Sequence, residues 1–184
     1  VPRGAGTGVS GGCLPERIPV MIGTSRMRRI REIDLANRRV VAEAGVVNLE
    51  ISRRVAEHGY YYAPDPSSQS ACTIGGNIAE NSGGVHCLKY GVTTNNLLGL
   101  EMVLMDGEVV HLGGKHLDAE GYDLMGILTG SEGLLGVITE VTVRILPKPE
   151  TARALLVGFS TVEAGGECVS GVISAGIVPG GMEM

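Results

Sequence analysis

Glycine constrains this sequence more than any other feature. There are 29 among 184 residues, well above the roughly 7% usual for globular proteins. They do not form a flexible tract. They fall in short clusters between apolar runs, the pattern expected where backbone must turn tightly or approach a ligand closely. Three stretches stand out: Pro2 to Gly12 (PRGAGTGVSGG), Pro64 to Gly84, and Thr129 to Thr139 (TGSEGLLGVIT). Any fold for this chain must put these clusters where bare backbone is needed.

The segments between them carry ordinary secondary-structure signals. Ile18 to Ile22 reads as a short buried strand, and Arg26 to Ile33 as a short helix or turn whose arginines form a solvated face beside Glu32 and Asp34. Arg39 to Ala44 reads as a strand. Asn48 can cap a helix with an apolar face of Ile51, Val55 and Ala56, closed by His58 and Gly59. A short helix is expected from Ile74 to Glu80. Leu97 to Met105 and Glu108 to Leu112 flank Asp106-Gly107, the signal of a two-residue type I′ hairpin. A helix near Tyr122 to Leu128, strands at Gly136 to Leu146 and Ala154 to Phe159, and a helix from Val162 to Ala175 complete the pattern. Mixed elements with an antiparallel hairpin give an α+β fold.

Composition narrows the partners. The chain is 43% hydrophobic and 19% charged, so it can build a core, and its net charge of -5 argues against nucleic acid, which demands a basic face. No apolar run approaches the roughly 18 residues of a membrane span, and no secretory signal pattern opens the chain. Cys13, Cys72, Cys87 and Cys168 show neither CxxC pairs nor histidines at zinc spacing. No metal site or disulfide framework is therefore expected, and a reduced, cytoplasmic setting fits.

The glycine clusters suggest what could be bound. In Gly4-Ala5-Gly6-Thr7-Gly8, successive backbone N–H groups can point into one concavity and hold an anion such as a pyrophosphate, with Arg3, Thr7 and Ser10 adding donors. Read alone, such a loop is more often a plain surface turn. It is not the Rossmann fingerprint, because Val9 stands at the third glycine's place and Pro15 and Pro19 follow. An NAD-binding domain is thereby disfavoured, and no Walker Gly-Lys-Ser/Thr exists. Gly75-Gly76 remove side chains where a flat ring could lie against backbone, and the third stretch offers N–H and C=O groups to a ring edge.

PDPSS (Pro64 to Ser68), IGGN (Ile74 to Asn77), NSGGVHCLKYG (Asn81 to Gly91) and GSEGLLGVIT (Gly130 to Thr139) together resemble the vanillyl-alcohol oxidase / p-cresol methylhydroxylase flavoprotein superfamily, and within it the FAD-linked subunits of bacterial glycolate oxidases. The likeness runs over essentially the whole chain. It implies a p-cresol methylhydroxylase-type FAD-binding domain of two α/β subdomains, with N-terminal strands and a C-terminal substrate domain lying outside these residues. On that basis residues 1–150 are expected to form the flavin domain and 151–184 a connection to the substrate domain.

By the same resemblance, Pro2, Arg3, Gly4, Ala5, Gly6, Thr7 and Gly8 would carry the pyrophosphate. Pro64, Asp65, Pro66, Ser67, Thr73, Ile74, Gly75, Gly76 and Asn77 would line the flavin and ribityl chain, with Ser82 and Gly83 close by. Glu132, Gly136, Val137 and Ile138 would close the adenine and flavin side. FAD is expected to be non-covalent, so His86 is expected to be hydrogen-bonded in its loop rather than a flavin attachment point. His111 and His116 are expected at the surface.

The resemblance also implies hydride transfer from a small 2-hydroxy acid, glycolate in the first instance, to the flavin. D-lactate and D-2-hydroxyglutarate dehydrogenases are similar too, and a non-catalytic flavin-binding or assembly module is the alternative of another class. The proton-accepting base and the carboxylate-binding cation are expected mainly on the substrate domain, so the catalytic residues are unknown here. The 184 residues alone are expected to bind FAD weakly and to turn over nothing. Implied partners are a second flavin-domain subunit and an iron–sulfur subunit, which could hold the protein at the inner membrane without direct insertion.

Overall fold

The computed structural model describes residues 1–17, 20–115 and 121–183. In chain order the strands are β1 (Pro2–Arg3), β2 (Ile22–Gly23), β3 (Ile30–Asp34), β4 (Arg39–Glu43), β5 (Tyr60–Tyr61), β6 (Leu97–Val103), β7 (Val109–Gly113), β8 (Val137–Arg144) and β9 (Leu146–Pro147). The helices are α1 (Asn48–Val55), α2 (Ile74–Glu80), α3 (Cys87–Tyr90), α4 (Leu124–Leu128) and α5 (Val162–Ser174). The main sheet has five strands in the order β3-β4-β8-β6-β7, every neighbouring pair antiparallel. The pairs β1-β2 and β5-β9 stand apart from it.

The sheet follows from alternation. In β4, β6 and β8, Val40, Ala42, Leu100, Met102, Val141 and Val143 point to one buried face. The α1 residues Ile51 and Val55 and the α2 residues Ile74 and Ile78 cover that face, all fully buried. The spacing breaks once in β8, where the buried residues Ile138 and Val141 lie three apart. A register shift between Glu101 and Met102 accommodates the extra residue. There Thr139 donates its hydroxyl to Glu101 Oε1 at 2.6 Å, and its carbonyl accepts from the amide of Ala44 at 2.9 Å.

β4 ends on a buried carboxylate. Glu43 is 4% exposed and accepts from the Arg29 amide at 2.8 Å and Arg29 Nε at 2.9 Å, while Arg31 Nη2 lies 2.6 Å away. The Arg29 backbone donor, outweighing burial, holds this carboxyl below its ordinary range, and the two guanidinium groups act in the same direction.

Several expectations need correcting. Val20, Met21 and Ile22 are exposed, so no buried strand covers the described part of Ile18 to Ile22; Ile18 and Pro19 lie outside the described residues. Arg26 to Ile33 is not helical: Ile30 onward forms β3, paired with β4 from Ile30 to Asp34, and Arg29 and Arg31 are drawn to Glu43. The helix after β4 is capped by Val47 rather than Asn48, and Ala56 is exposed. Asn48 faces inward instead.

The hairpin turn holds Met105, Asp106 and Gly107 between Leu104 and Glu108, with the Leu104 amide bonded to the Glu108 carbonyl at 2.8 Å. Only Gly107 has positive φ there, at 88°, so this is a three-residue loop with a left-handed glycine and not a type I′ turn. Ala154 to Phe159 is exposed and pairs with no strand among the described residues. The helix expected at Ile74 to Glu80 is present, and the one expected from Val162 to Ala175 runs Val162–Ser174.

Candidate functional site

Three of the glycine-rich stretches meet around α2. Thr73 caps the helix, its Oγ1 accepting from the Gly76 amide at 3.3 Å. The Ile74 and Gly75 amides donate across to the carbonyls of Val46 and Ala44 at 2.8 and 2.9 Å, and the Asn77 amide bonds the Thr73 carbonyl at 2.9 Å. The first turn of α2 is therefore stapled to the end of β4. Gly75 has to be glycine for that contact: a Cβ there would sit 2.6 Å from Ala44 Cβ and 3.0 Å from its carbonyl oxygen.

Asn77 locks the next layer. Its Nδ2 donates to Asn48 Oδ1 at 2.8 Å, and Asn48 Nδ2 donates to the Pro64 carbonyl at 3.0 Å, all within the buried interior. At the far end of α2 the third stretch docks, with the Gly130 and Glu132 amides bonding the Ile78 and Ala79 carbonyls at 2.8 Å each. Glu132 is left-handed there, at φ 53°.

The first stretch lies over this platform. β1 runs parallel to β2, and the Thr24 amide bonds the Arg3 carbonyl at 3.0 Å. Beyond that anchor the loop is pressed to the helix: a Cβ on Gly4 would collide with Thr73 Oγ1. Among the described residues, no hydrogen bond takes up the backbone N–H of Gly4, Ala5, Gly6, Thr7 or Gly8. Arg3 is half-buried at the base of the loop, and its guanidinium reaches Gly6, which has φ 75°. Two carboxylates face the loop: Glu80, which accepts from the Ser10 hydroxyl at 3.4 Å, and Glu132.

Between loop and platform is a cleft of about 270 Å³. Of the residues expected at a binding site, Pro2, Arg3, Gly4, Ala5, Gly6, Thr7, Gly8, Thr73, Gly75, Gly76, Asn77, Ser82, Glu132, Gly136, Val137 and Ile138 line it. Pro64, Asp65, Pro66, Ser67, Ile74 and Gly83 do not. Ile74 is fully buried in the core, Pro64 serves Asn48, Asp65 pairs with His86, and Gly83 packs against Cys87. The Pro64 to Ser67 turn supports the wall from behind, and Ser68 and Cys72 reach the cleft in its place.

Sequence reasoning missed further lining residues. Ala79 and Glu80 lie one turn beyond Gly75 and Gly76 on the same helix face, so helical spacing alone could have found them. Thr24 and Ala44 arrive only through tertiary pairing and carried no local signal. Cys13 and Cys72 also line the cleft, and all four thiols are free. His111 is an exposed residue beside Glu101, and His116 lies outside the described residues.

A cleft with open amides, one cation and glycine walls suits a phosphate-bearing ligand of some length. The family model for an FAD binding domain matches residues 1–113. The chain belongs to the FAD binding domain family. FAD is accordingly its cofactor. The chain is 56% identical over 184 residues to the glycolate oxidase subunit GlcD of Escherichia coli, covering 100% of this chain and 37% of that protein. It is 40% identical over 168 residues to a D-lactate dehydrogenase of Archaeoglobus fulgidus, covering 91% of this chain and 38% of that protein. The chain thus spans little more than a third of the length of the curated relatives it matches.

An alkyldihydroxyacetonephosphate synthase structure superposes with a TM-score of 0.83 at 25% identity, over 98% of this chain and 33% of that one. The mixed α/β fold resembles the p-cresol methylhydroxylase-type FAD-binding fold, as expected. No helix among the described residues is long and apolar enough to cross a membrane.

Proposed function

We propose that this chain is the flavin-holding part of a longer oxidoreductase that converts glycolate to its 2-oxo acid, with non-covalent FAD seated in the cleft beneath the first glycine loop. The observation that carries the reading is the set of open amides at Gly4 to Gly8 beside the half-buried Arg3. A pyrophosphate supplies the acceptors those donors lack, and charge-assisted bonds of this kind are short and strong. Gly75, Gly76 and Gly136 keep side chains off the cleft walls, where ribityl chain and ring would lie. Bound flavin would supply the hydride acceptor. The residues of this chain bind it, orient it and exclude water from one face.

Oxidation of a hydroxy acid needs a group for the hydroxyl proton and a cation for the carboxylate. The cleft offers Arg3 as cation, already committed to the pyrophosphate in this reading. The carboxylate site is therefore assigned to the substrate domain, which residues 151–184 would join to a flavin domain of residues 1–150. The 40% identity to a D-lactate dehydrogenase favours D-lactate as second substrate. The 56% identity to a named glycolate oxidase subunit supports assembly with further subunits, an iron–sulfur electron carrier among them, in the cytoplasm or on the inner membrane's inner face.

The test is the visible spectrum of the full-length protein before and after anaerobic glycolate. Flavin bands that bleach support cofactor and substrate together. Bands that persist with glycolate and bleach with D-lactate move the substrate. Bands that no 2-hydroxy acid bleaches overturn the oxidoreductase reading.

A further inference from the structure

Asn77 brings to the cleft one side-chain oxygen that the fold leaves unused. The residue is 3% exposed and lines the cleft from the start of α2. Its polarity is set at the far end of a buried chain of hydrogen bonds. The Pro64 carbonyl can only accept, so the Asn48 atom 3.0 Å from it must be the donor Nδ2. Asn48 then presents Oδ1 to Asn77, and that contact, 2.8 Å long, requires the Nδ2 of Asn77. What remains is Asn77 Oδ1. No described group donates to it, yet it is not sealed in: the buried side-chain oxygens without a partner among the described residues are those of Tyr62 and Asp65. With the nitrogen turned inward to Asn48, the oxygen opens on the cleft.

Few groups can use such an oxygen. An amide oxygen accepts and does not donate, so phosphate oxygens gain nothing from it. Its narrow opening admits a thin chain more readily than the flat of a ring. Position narrows the choice further. Gly76, the residue before Asn77, faces the first loop: a Cβ on Gly4 would lie 3.8 Å from Gly76 Cα. The acceptor therefore stands next to the open amides of Gly4 to Gly8, which the function proposed above gives to a pyrophosphate. In FAD the groups on either side of the pyrophosphate are the ribityl chain and the ribose, and both carry hydroxyl donors. Glu80 and Glu132 also line the cleft, but as carboxylates they add like charge beside a pyrophosphate, whereas Asn77 accepts without adding charge.

We infer that Asn77 Oδ1 accepts a hydrogen bond from a hydroxyl flanking the pyrophosphate of FAD, on the ribityl chain or the ribose, and that Asn48 keeps this oxygen turned to the cleft. The inference rests on FAD occupying the cleft as proposed above. Asn77 is the contact, and Asn48 is a positioning residue that acts through it. Without Asn48 nothing among the described residues holds the Asn77 carboxamide in one orientation, and its NH2 can take the place of its oxygen.

The test titrates full-length protein, stripped of FAD, with FAD and with analogues in which one hydroxyl of the ribityl chain or of the ribose is replaced by hydrogen. Flavin fluorescence reads the affinity. Wild type is expected to bind one of these analogues about 10-fold more weakly than FAD, the worth of one uncharged hydrogen bond. Whether that analogue lacks a ribityl or a ribose hydroxyl identifies the donor. The difference is expected to vanish in Asn77→Ala and to shrink in Asn48→Ala. Each comparison sets two ligands against one protein, so a variant that is merely less stable keeps the wild-type ratio. Equal binding of FAD and every analogue by wild type overturns the proposal, and that measurement needs no variant to fold. A ratio that survives in Asn77→Ala also overturns it, and a wild-type ratio in Asn48→Ala overturns the role given to Asn48. Full-length wild type that takes up no FAD overturns the functional reading, a different failure from FAD and its analogues binding alike.

Discussion

The two walls of the cleft are built on opposite principles. On the α2 side every amide of the first helical turn is bonded, to Val46, Ala44 and Thr73, and the glycine at position 75 is dictated by contact with Ala44. On the loop side, Gly4 to Gly8 is mostly exposed and its amides have no partner among the described residues. One wall is complete without a ligand. The other has donors that no protein group takes up among the described residues, and open amides at the surface, bonded to water until displaced, are what an anion site needs. Glycine therefore serves close packing in one wall and open backbone in the other. Helix-dipole binding of the Rossmann kind is not available here, because the α2 amides are already used.

Substitutions can separate the two walls. Gly75→Val is expected to destabilise the fold by about 3 kcal/mol through overpacking against Ala44, seen as a lower urea midpoint with or without FAD. A midpoint equal to wild type would erase the distinction between the walls. Arg3→Ala is expected to leave the urea midpoint of the apoprotein near wild type and to weaken FAD by about 10- to 100-fold, the worth of a charge-assisted bond of about 1.5–3 kcal/mol. Fluorescence titration with FAD measures it, and an unchanged affinity would remove the pyrophosphate from this loop.

Behind the rigid wall, Glu43→Gln is expected to cost about 1–2 kcal/mol at neutral pH by weakening the bonds from Arg29 and Arg31. The folded carboxyl is held below the ordinary value of 4.5, so its contribution is fully present above that value and is lost as pH falls through the lowered one. Urea midpoints of wild type and variant should therefore differ at neutral pH and converge as the pH drops below that range. Convergence toward high pH would reverse the assigned sign. The smallest effect is expected from Thr73→Ala, about 1 kcal/mol for a lost helix cap, with Thr73→Ser restoring it. Thermal unfolding distinguishes that loss from one of FAD affinity.

Much of this was legible in the sequence where the signal is local. The α2 bounds follow from a run of small and apolar residues, β4 from its paired valines, and β8 from alternation over most of its length. The three stretches forming the cleft were visible because glycine clusters mark bare backbone whatever the fold. What was not legible depended on distant partners. Arg26 to Ile33 read as a short helix or turn, whereas Glu43 draws Arg29 and Arg31 and β4 pairs with Ile30 onward. The Asp-Gly pair signalled a hairpin without revealing that Met105 joins the loop. Asp65 looked like a flavin contact, whereas its partner is a histidine that the sequence places 21 positions away.

The central claim is that FAD completes the open wall and leaves the closed one unchanged. Amide hydrogen exchange on the full-length protein, stripped of FAD and then reloaded, tests it directly. The account predicts strong new protection at Gly4 to Gly8 on reloading, with the first turn of α2 equally protected in both states. Full reloading of flavin with no change in exchange at Gly4 to Gly8 would contradict it.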